Sequence, residues 1–140
     1  MKILLAVDGS DYTKSMLAYL AAHDELLGKR CDYIAVTVVA PLPAYALKFL
    51  ERRVVDDYYR DEADAVLRPV QSFAGMQGWS LRVVKTHGHA AEAITKVARE
   101  EKPDLIVMGS HGHSTLGNVV MGSVATSVMA RCKVPVLLVR

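Results

Sequence analysis

The amino-acid sequence predicts an α/β fold: one open, five-stranded parallel sheet with helices packed on both of its faces. Short apolar runs of strand length alternate along the chain with longer segments in which apolar residues recur every three or four positions. The strand–helix unit occurs four times and is followed by a last apolar run, a pattern typical of parallel strands joined by crossover helices. We expect the strand order 3-2-1-4-5 and a Rossmann-like arrangement.

The strands are predicted from residue types and from the turn residues that bound them. Lys2 to Val7 is a continuous apolar run, as expected of a central strand, and Asp8-Gly9-Ser10 ends it. Cys31 to Val39 is rich in β-branched residues and ends before Pro41. The three remaining runs are 79–85, 104–108 and 134–139. Alternation in the third run is weak, which favours an edge strand.

The helices are predicted from the segments between these runs. The first begins at Ser10 or Asp11 and runs to Leu27, where Gly28 stops it. The second, from about Tyr45 to Phe73, has mixed charges typical of a solvated face, and Pro69 kinks or divides it. Its predicted buried face consists of Val55, Tyr59, Ala63, Val66, Val70 and Phe73. The last two helices are Ala90 to Glu101 and Val124 to Ala130.

Length and composition limit the classes of protein to consider. The chain has 140 residues, 51% of them apolar, so we expect one domain over residues 1–140. A net charge of +2 gives no electrostatic case for binding nucleic acid. The opening run is too short for a signal peptide and no run is long enough to cross a bilayer, so we expect a cytoplasmic protein without membrane contact. Cys31 and Cys132 are expected to be buried thiols of a reducing compartment.

A glycine-rich stretch from Gly109 to Ser123 is the first candidate functional site. It lies between the fourth strand and the last helix, with two residues between Gly109 and Gly112 and nine between Gly112 and Gly122. Glycine allows a ligand to approach the backbone closely, and a helix N-terminus offers unpaired N–H groups and a partial positive charge. The stretch therefore predicts an anion site, most simply for a phosphate; a loop that only turns the corner is the alternative.

Asp8 is the second candidate, because it ends the first strand. Ligands of open parallel sheets bind beyond the carboxyl ends of the strands, where the strand order reverses. In the order 3-2-1-4-5 that place lies between the first and fourth strands, so Asp8 and Gly109 would face each other. Asp8 could accept a hydrogen bond from a ribose hydroxyl or an adenine amine, or it could serve only the Asp-Gly-Ser turn.

These motifs resemble the universal stress protein family over essentially the whole chain. The glycine spacing followed by Ser123 is similar to the family's nucleotide-binding pattern, and the opening Ile3-Leu4-Leu5-Ala6-Val7-Asp8-Gly9-Ser10 is also similar. So are the segments 104–112 and 121–125 and the closing Val134 to Val139. Thr37 departs from the pattern, because many relatives carry histidine there. The resemblance implies an adenine nucleotide alpha hydrolase-like fold and the ATP-binding subgroup of the family.

The resemblance also implies roles for particular residues. Ala6, Val7, Asp8 and Val38 would contact the base and ribose of ATP, or of ADP or AMP in its place. Met108, Gly109, His111 and Gly112 would line the turn near the ribose and phosphates. Gly122, Ser123, Val124 and Ala125 would hold the phosphates, accompanied by Mg²⁺. A homodimer through the last strand, Val134 to Val139, is implied as well, which would cover an exposed edge.

Three functional readings remain open from the sequence. The first is a stress-response module that senses or buffers ATP without turning it over. The second is a slow ATP hydrolase or nucleotidyl-transfer enzyme; the glycine stretch has no Gly-Lys-Ser/Thr ending and no arginine, which efficient phosphoryl transfer would favour. The third is a structural dimer that binds no nucleotide.

Other classes of site are disfavoured. His87 and His89, and His111 and His113, form two histidine pairs that could ligate zinc, but their strands would be three spacings apart, on the order of 14 Å. We expect no metal site at these histidines. A response-regulator receiver would need an acceptor aspartate after the third strand, and a dinucleotide-binding domain would need Gly-x-Gly-x-x-Gly after the first. The sequence has neither.

Overall fold

The structure is a computed structural model, and it describes residues 1–113 and 121–140. The middle of the predicted glycine stretch, residues 114–120, lies outside the described residues. The described strands are β1 (Lys2–Ala6), β2 (Asp32–Val39), β3 (Ser80–His87), β4 (Leu105–Gly109) and β5 (Val136–Val139). The described helices are α1 (Asp11–Ala22), α2 (Asp24–Leu27), α3 (Ala44–Leu47), α4 (Arg52–Gln77), α5 (Ala90–Glu101) and α6 (Ser123–Arg131).

The sheet has the predicted order, β3-β2-β1-β4-β5, and its strand pairs are all parallel. β1 lies at the centre: Leu4 pairs with Ile34 of β2 on one side and with Ile106 of β4 on the other. β3 is an edge strand, as its weak alternation predicted. The predicted fold class is therefore confirmed, and the carboxyl ends of β1 and β4 are neighbours.

Two apolar cores lie on opposite faces of the sheet. Successive residues of a strand point to opposite faces, so the apolar run of β1 supplies both cores. Ile3 and Leu5 belong to the core covered by α1 and α4, whereas Leu4 belongs to the core under α5 and α6. All three side chains have 0% exposure. Because the apolar side chains of β1 lie on both faces of the sheet, both faces must be covered by helices.

The first predicted helix is two helices in the structure. His23 leaves the helical conformation (φ −113°, ψ 40°) and separates α1 from α2. Its Nδ1 lies 2.8 Å from the carbonyl oxygen of Tyr19, so the ring takes up a backbone acceptor at the end of α1. The prediction of one helix as far as Leu27 missed this break because the apolar periodicity continues through it.

The second predicted helix differs more. The segment begins as the short α3, and the long α4 then continues through Pro69 and Gly75 to Gln77 rather than ending at Phe73. Ala74 is 2% exposed and packs in the core, which explains why the helix continues. Of the predicted buried face, Ala63 and Val70 are buried, whereas the four other positions are only partly covered. The expectation for the cysteines holds for Cys31, but Cys132 is only partly buried.

Tyr33 on β2 ties the helices to the sheet beneath them. Its side chain is 1% exposed, stacks on Trp79 with ring centroids 4.7 Å apart, and donates its hydroxyl hydrogen to the carbonyl of Leu27. Burial raises the pKa of Tyr33 above its ordinary range, and the nearby Cys31 and Asp24 raise it further. The folded protein therefore strongly favours the neutral phenol.

This environment predicts a loss of stability at alkaline pH that depends on Tyr33. Because the folded-state pKa is raised, the contribution is complete below the unfolded value of about 10 and decreases as the pH rises above it. At about pH 8, Tyr33→Phe should lower the free energy of unfolding by about 1 kcal/mol, since the Leu27 carbonyl loses its donor. In urea unfolding at about pH 11, the difference between the variant and the wild type should shrink. A difference that stays constant between the two pH values would contradict this account.

Candidate functional site

A cavity opens at the carboxyl edge of the sheet, between the ends of β1 and β4. Its volume is about 320 Å³, within the range of small-molecule sites. All twelve residues predicted from the sequence line this one cavity: Ala6, Val7, Asp8, Val38, Met108, Gly109, His111, Gly112, Gly122, Ser123, Val124 and Ala125. The structure thus brings together four segments that are distant in the sequence. Their contact with a ligand remains a prediction.

Among the described residues, seven more line the cavity that the sequence analysis did not assign to it: Tyr12, Thr13, Val36, Ala90, Ile94, Ser110 and His113. Tyr12 and Thr13 are in the first turn of α1, and Ala90 begins α5. These helices start at the carboxyl edge because they follow β1 and β3. The predicted order of strands and helices could have identified these residues, because a helix that begins at this edge faces the same crevice as the strand ends.

Asp8 divides its two carboxylate oxygens between the fold and the cavity. Oδ1 accepts hydrogen bonds from the Ser10 N–H at 2.9 Å and from the Thr13 hydroxyl at 3.0 Å. The Asp8 N–H donates to the Thr13 hydroxyl oxygen at 3.1 Å, which completes the turn into α1. Oδ2 accepts no hydrogen bond from the residues that the structure describes, and it faces Gly112. Asp8 can therefore serve both roles considered for it: Oδ1 holds the turn, and Oδ2 is placed to accept a hydrogen bond from a ligand.

Two glycines permit the close approach of the segments around the cavity. A Cβ on Gly109 would lie 2.6 Å from the Cβ of Tyr12, and a Cβ on Gly112 would lie 2.8 Å from Asp8 Oδ2. Real Cβ atoms do not approach other atoms so closely, so a larger residue at either position would push the walls apart. These glycines are needed by the protein's own packing, whatever the cavity binds.

Histidines connect the walls of the cavity. Nε2 of His113 lies 2.6 Å from the carbonyl oxygen of Asp8, so this nitrogen carries the hydrogen and joins the segment after β4 to the end of β1. His111 Nδ1 lies 2.9 Å from the Ser110 hydroxyl, and its ring centroid lies 5.2 Å from that of Tyr12. Neither histidine of the other pair lines the cavity: His87 stacks on Tyr59 with centroids 4.1 Å apart, and His89 is the N-cap of α5. Among the described residues no cluster of three metal-ligating side chains is found.

The N-terminus of α6 supplies the positive end of the cavity. Gly122 is the N-cap, its N–H donates to the Ser110 carbonyl at 2.7 Å, and its carbonyl accepts the first helical bond, from Thr126 at 3.1 Å. The N–H groups of Ser123, Val124 and Ala125 precede that bond, and they donate to no acceptor in the part of the chain described by the structure. Such N–H groups and the helix dipole together favour an anion.

The remaining lining is mostly apolar and carries little charge. Val36, Val38, Ile94 and Met108 give one wall of aliphatic side chains, suited to a flat apolar group. Within residues 1–113 and 121–140, Asp8 is the only Asp or Glu in the lining, and no Lys or Arg contributes to it. The cavity therefore offers an apolar wall, one carboxylate and a set of backbone donors, a combination that fits a molecule with an apolar ring, hydroxyls and an anionic group.

The divided role of Asp8 predicts different effects for two substitutions. Asp8→Ala removes Oδ1 and leaves the Ser10 N–H and the Thr13 hydroxyl without their acceptor, which should lower the free energy of unfolding by about 1–3 kcal/mol. Asp8→Asn keeps an oxygen at Oδ1 and should cost less than half as much. Equilibrium unfolding in urea would measure both values. Equal losses in the two variants would show that Oδ1 does not hold the turn.

Comparisons with known proteins agree with the fold. The model of the universal stress protein family matches residues 1–140. A Thermus aquaticus protein named universal stress protein in QAH/OAS sulfhydrylase 3′ region is 34% identical over 143 aligned positions, covering 99% of this chain and 97% of that protein. Universal stress protein Slr1230 of Synechocystis is 30% identical, but the chain spans only 42% of its length.

Solved structures show the same architecture. The protein MJ0577 of Methanocaldococcus jannaschii superposes with a TM-score of 0.79 at 26% identity, over 99% of this chain and 94% of that one. UspA from Lactobacillus plantarum gives a TM-score of 0.81 at 23% identity, over 100% and 97% of the two chains. In the part of the chain that the structure describes, no helix is both long and apolar enough to cross a bilayer. The family model and these relatives together show that the chain belongs to the universal stress protein family.

Proposed function

We propose that this chain binds an adenine nucleotide, ATP or in its place ADP or AMP, in the cavity between β1 and β4. The observation that supports the proposal is the convergence of all twelve predicted residues on one cavity, which has an apolar wall and the N-terminus of α6 at one end. Among solved universal stress proteins, one structure is a complex with cAMP and one from Archaeoglobus fulgidus is a complex with dAMP. They share 23% and 20% identity with this chain, so their ligands support the proposal only as examples of the fold's use.

The lining suggests how the nucleotide would lie. The adenine ring would pack against the aliphatic wall that includes Val38 and Met108. Asp8 Oδ2, the carboxylate oxygen not used by the turn, would accept a hydrogen bond from a ribose hydroxyl or the adenine amine. The phosphates would lie at the N-terminus of α6, where Ser123, Val124 and Ala125 present N–H groups.

Mg²⁺ would accompany a triphosphate in this orientation. Because the described lining has no lysine or arginine, the charge of the phosphates would be met by backbone dipoles and by the ion. Mg²⁺ keeps several waters and often uses few protein ligands, so a site with few side-chain ligands is compatible with it. This environment favours holding a nucleotide over transferring its phosphate, which calls for cationic clamps on the transferred group. We therefore assign the chain to nucleotide sensing or buffering in a stress response.

The first test is whether the purified chain carries or takes up nucleotide. The protein would be denatured and the supernatant analysed by anion-exchange chromatography; stripped protein would then be titrated with ATP, ADP and AMP in the presence of Mg²⁺. Released nucleotide or a saturable heat is the expected result. A folded protein that releases none and binds none of the three would contradict the proposal.

Ser123→Asp tests where the phosphates lie. An acidic residue in the first turn of a helix is compatible with its dipole, so α6 should fold as well as before, while the new carboxylate repels the phosphates. We expect the affinity for ATP to fall about tenfold or more, equivalent to about 1.4 kcal/mol, with the affinity for adenosine unchanged. Ser123→Asn is the matched neutral control and should retain most ATP binding. Equal ATP affinities in the two variants would place the phosphates elsewhere.

A homodimer through the last strand is the second part of the proposal. The carbonyls of Pro135 and Val139 point towards β4 and accept hydrogen bonds from the N–H groups of Ile106 and Ser110. The opposite edge of β5 does not face β4. Because the C=O and N–H of a peptide point in opposite directions, the Val136 N–H points away from β4. This edge is available to a second copy of the strand.

Val136→Pro removes that outward donor and leaves the pairing with β4 intact. If β5 forms the dimer, this variant should dissociate more readily than the wild type, with a dissociation constant at least about tenfold higher. Sedimentation velocity over a concentration series would measure the difference. Val136→Thr, which keeps the N–H and the β-branched shape, is the matched control. An unchanged dissociation constant in the proline variant would exclude this edge.

A further inference from the structure

The segment between β2 and the core-packed part of α4 lies on the surface of the domain. None of residues 40–62 is buried, and the first buried residue of α4 is Ala63. The part of α4 within this segment, residues 52–62, extends over about 16 Å at 1.5 Å per residue. We call residues 40–62 the arm. The arm contributes no residue to the two described core clusters.

The arm is held in one conformation by contacts at its base. The Leu42 N–H donates to the Tyr59 hydroxyl oxygen at 3.0 Å, which joins the start of the arm to α4. The Tyr59 ring stacks on His87 of β3 with an interplanar angle of 7°. Just beyond the arm, Asp64 pairs with Lys85 at 2.6 Å. These contacts preorganise the arm, so its outer surface can be recognised as a fixed shape.

The outer surface of the arm is apolar to a degree that a solvated helix does not need. Six of the eleven exposed large apolar side chains among the described residues lie in it: Tyr45, Leu47, Phe49, Leu50, Val54 and Tyr58. Phe49 is 86% exposed. Val54 and Tyr58 are one helical turn apart and therefore lie on the same face of α4. A concentration of exposed large apolar side chains in one short segment is a feature of interaction sites.

The charges of the arm indicate what covers it. Residues 40–53 carry three basic and one acidic side chain, net +2, whereas residues 54–62 carry one basic and four acidic side chains, net −3. The basic residues Lys48, Arg52 and Arg53 form no ion pair within the described residues, and neither do Asp56 and Glu62. Basic groups at a helix start oppose the helix dipole, so Arg52 and Arg53 gain nothing from their own helix.

We infer that the arm is a self-association surface whose partner is the arm of a second copy of this chain, packed antiparallel to it. In that arrangement the basic part of each arm faces the acidic part of the other, and the exposed apolar side chains of both parts are covered. A two-fold axis makes the contact isologous, so one charge pattern satisfies both copies. An anionic membrane fits less well, because the arm as a whole has a net charge of −1.

This surface is separate from the edge of β5. The arm connects β2 to the helix that precedes β3, and β3 and β5 are at opposite edges of the sheet. If the β5 edge also pairs, each chain has two different two-fold contacts, which combine into a tetramer or a longer chain. Where the arrangement closes as a tetramer, the arm contact doubles the mass of the particle that the β5 edge alone would form. If the β5 edge does not pair, the arm contact converts a monomer into a dimer.

Charge exchange between two variants tests the inference on the full chain. Arg52→Glu with Arg53→Glu makes the arm predominantly acidic, and Asp56→Arg with Glu62→Arg makes it predominantly basic. All four side chains are exposed, and circular dichroism would confirm folding. Each double variant alone should sediment as a particle of half the wild-type mass. Their equimolar mixture should restore the wild-type mass, because opposite arms now attract each other. Lys29→Glu with Arg30→Glu, another exposed basic pair at the other end of the strands, is the matched control and should keep the wild-type mass.

Several results would overturn the inference. A wild-type protein that is monomeric over the concentration series would do so, and so would an Arg52→Glu/Arg53→Glu variant with unchanged mass. Failure of the mixture to recover the mass would show that the arms do not pair with each other. Flotation with phosphatidylglycerol vesicles is the complementary measurement. Vesicle binding that is lost in the acidic variant, without any change in mass, would assign the arm to lipid instead.

Discussion

The pairing of β1 with both β2 and β4 is the constraint on which the candidate site depends. It puts Asp8, at the end of β1, against Gly112, which follows β4, although more than a hundred residues separate them. It also lets the His113 ring reach the Asp8 carbonyl. The apolar side chains of β1 face both cores and fix the strand at the centre of the sheet. The geometry of the cavity is therefore set by the burial of the β1 side chains that precede it in the strand.

The cavity combines two kinds of recognition that differ in their physical origin. The aliphatic wall around Val38 offers burial of a flat ring, which is non-directional. The N-terminus of α6 offers directed N–H groups and a partial positive charge. Because the described lining contains no basic side chain, attraction of an anion acts over a short range and involves no large electrostatic field. Such a site suits a ligand present at substantial concentration better than one captured by long-range steering.

The sequence predicted the strands and the residues at their ends, because continuous apolar runs and glycine spacing are local signals. The strand order is not local and was expected from the fold class that the alternation of strands and helices indicates. It did not predict the break at His23, where the apolar periodicity continues through a change of backbone. Tyr12 and Ala90 were missed as cavity residues because their positions depend on how helices begin above the sheet. The exposure of the arm was missed too: Val55 and Tyr59 continue the periodicity of the buried residues, and periodicity alone does not say where the sheet beneath a helix ends.

The donors at the start of α6 belong to the backbone, and this has a consequence for sequence drift. A side chain that binds a ligand is lost by one substitution, whereas the N–H groups of Val124 and Ala125 persist with any residue except proline that keeps the helix intact. The set of N–H donors at this end of the cavity is thus robust to mutation at these positions, and residue identity there is a poor guide to whether the donors are retained. Differences in binding between natural variants would instead come from substitutions that add charge or bulk at the rim of the cavity.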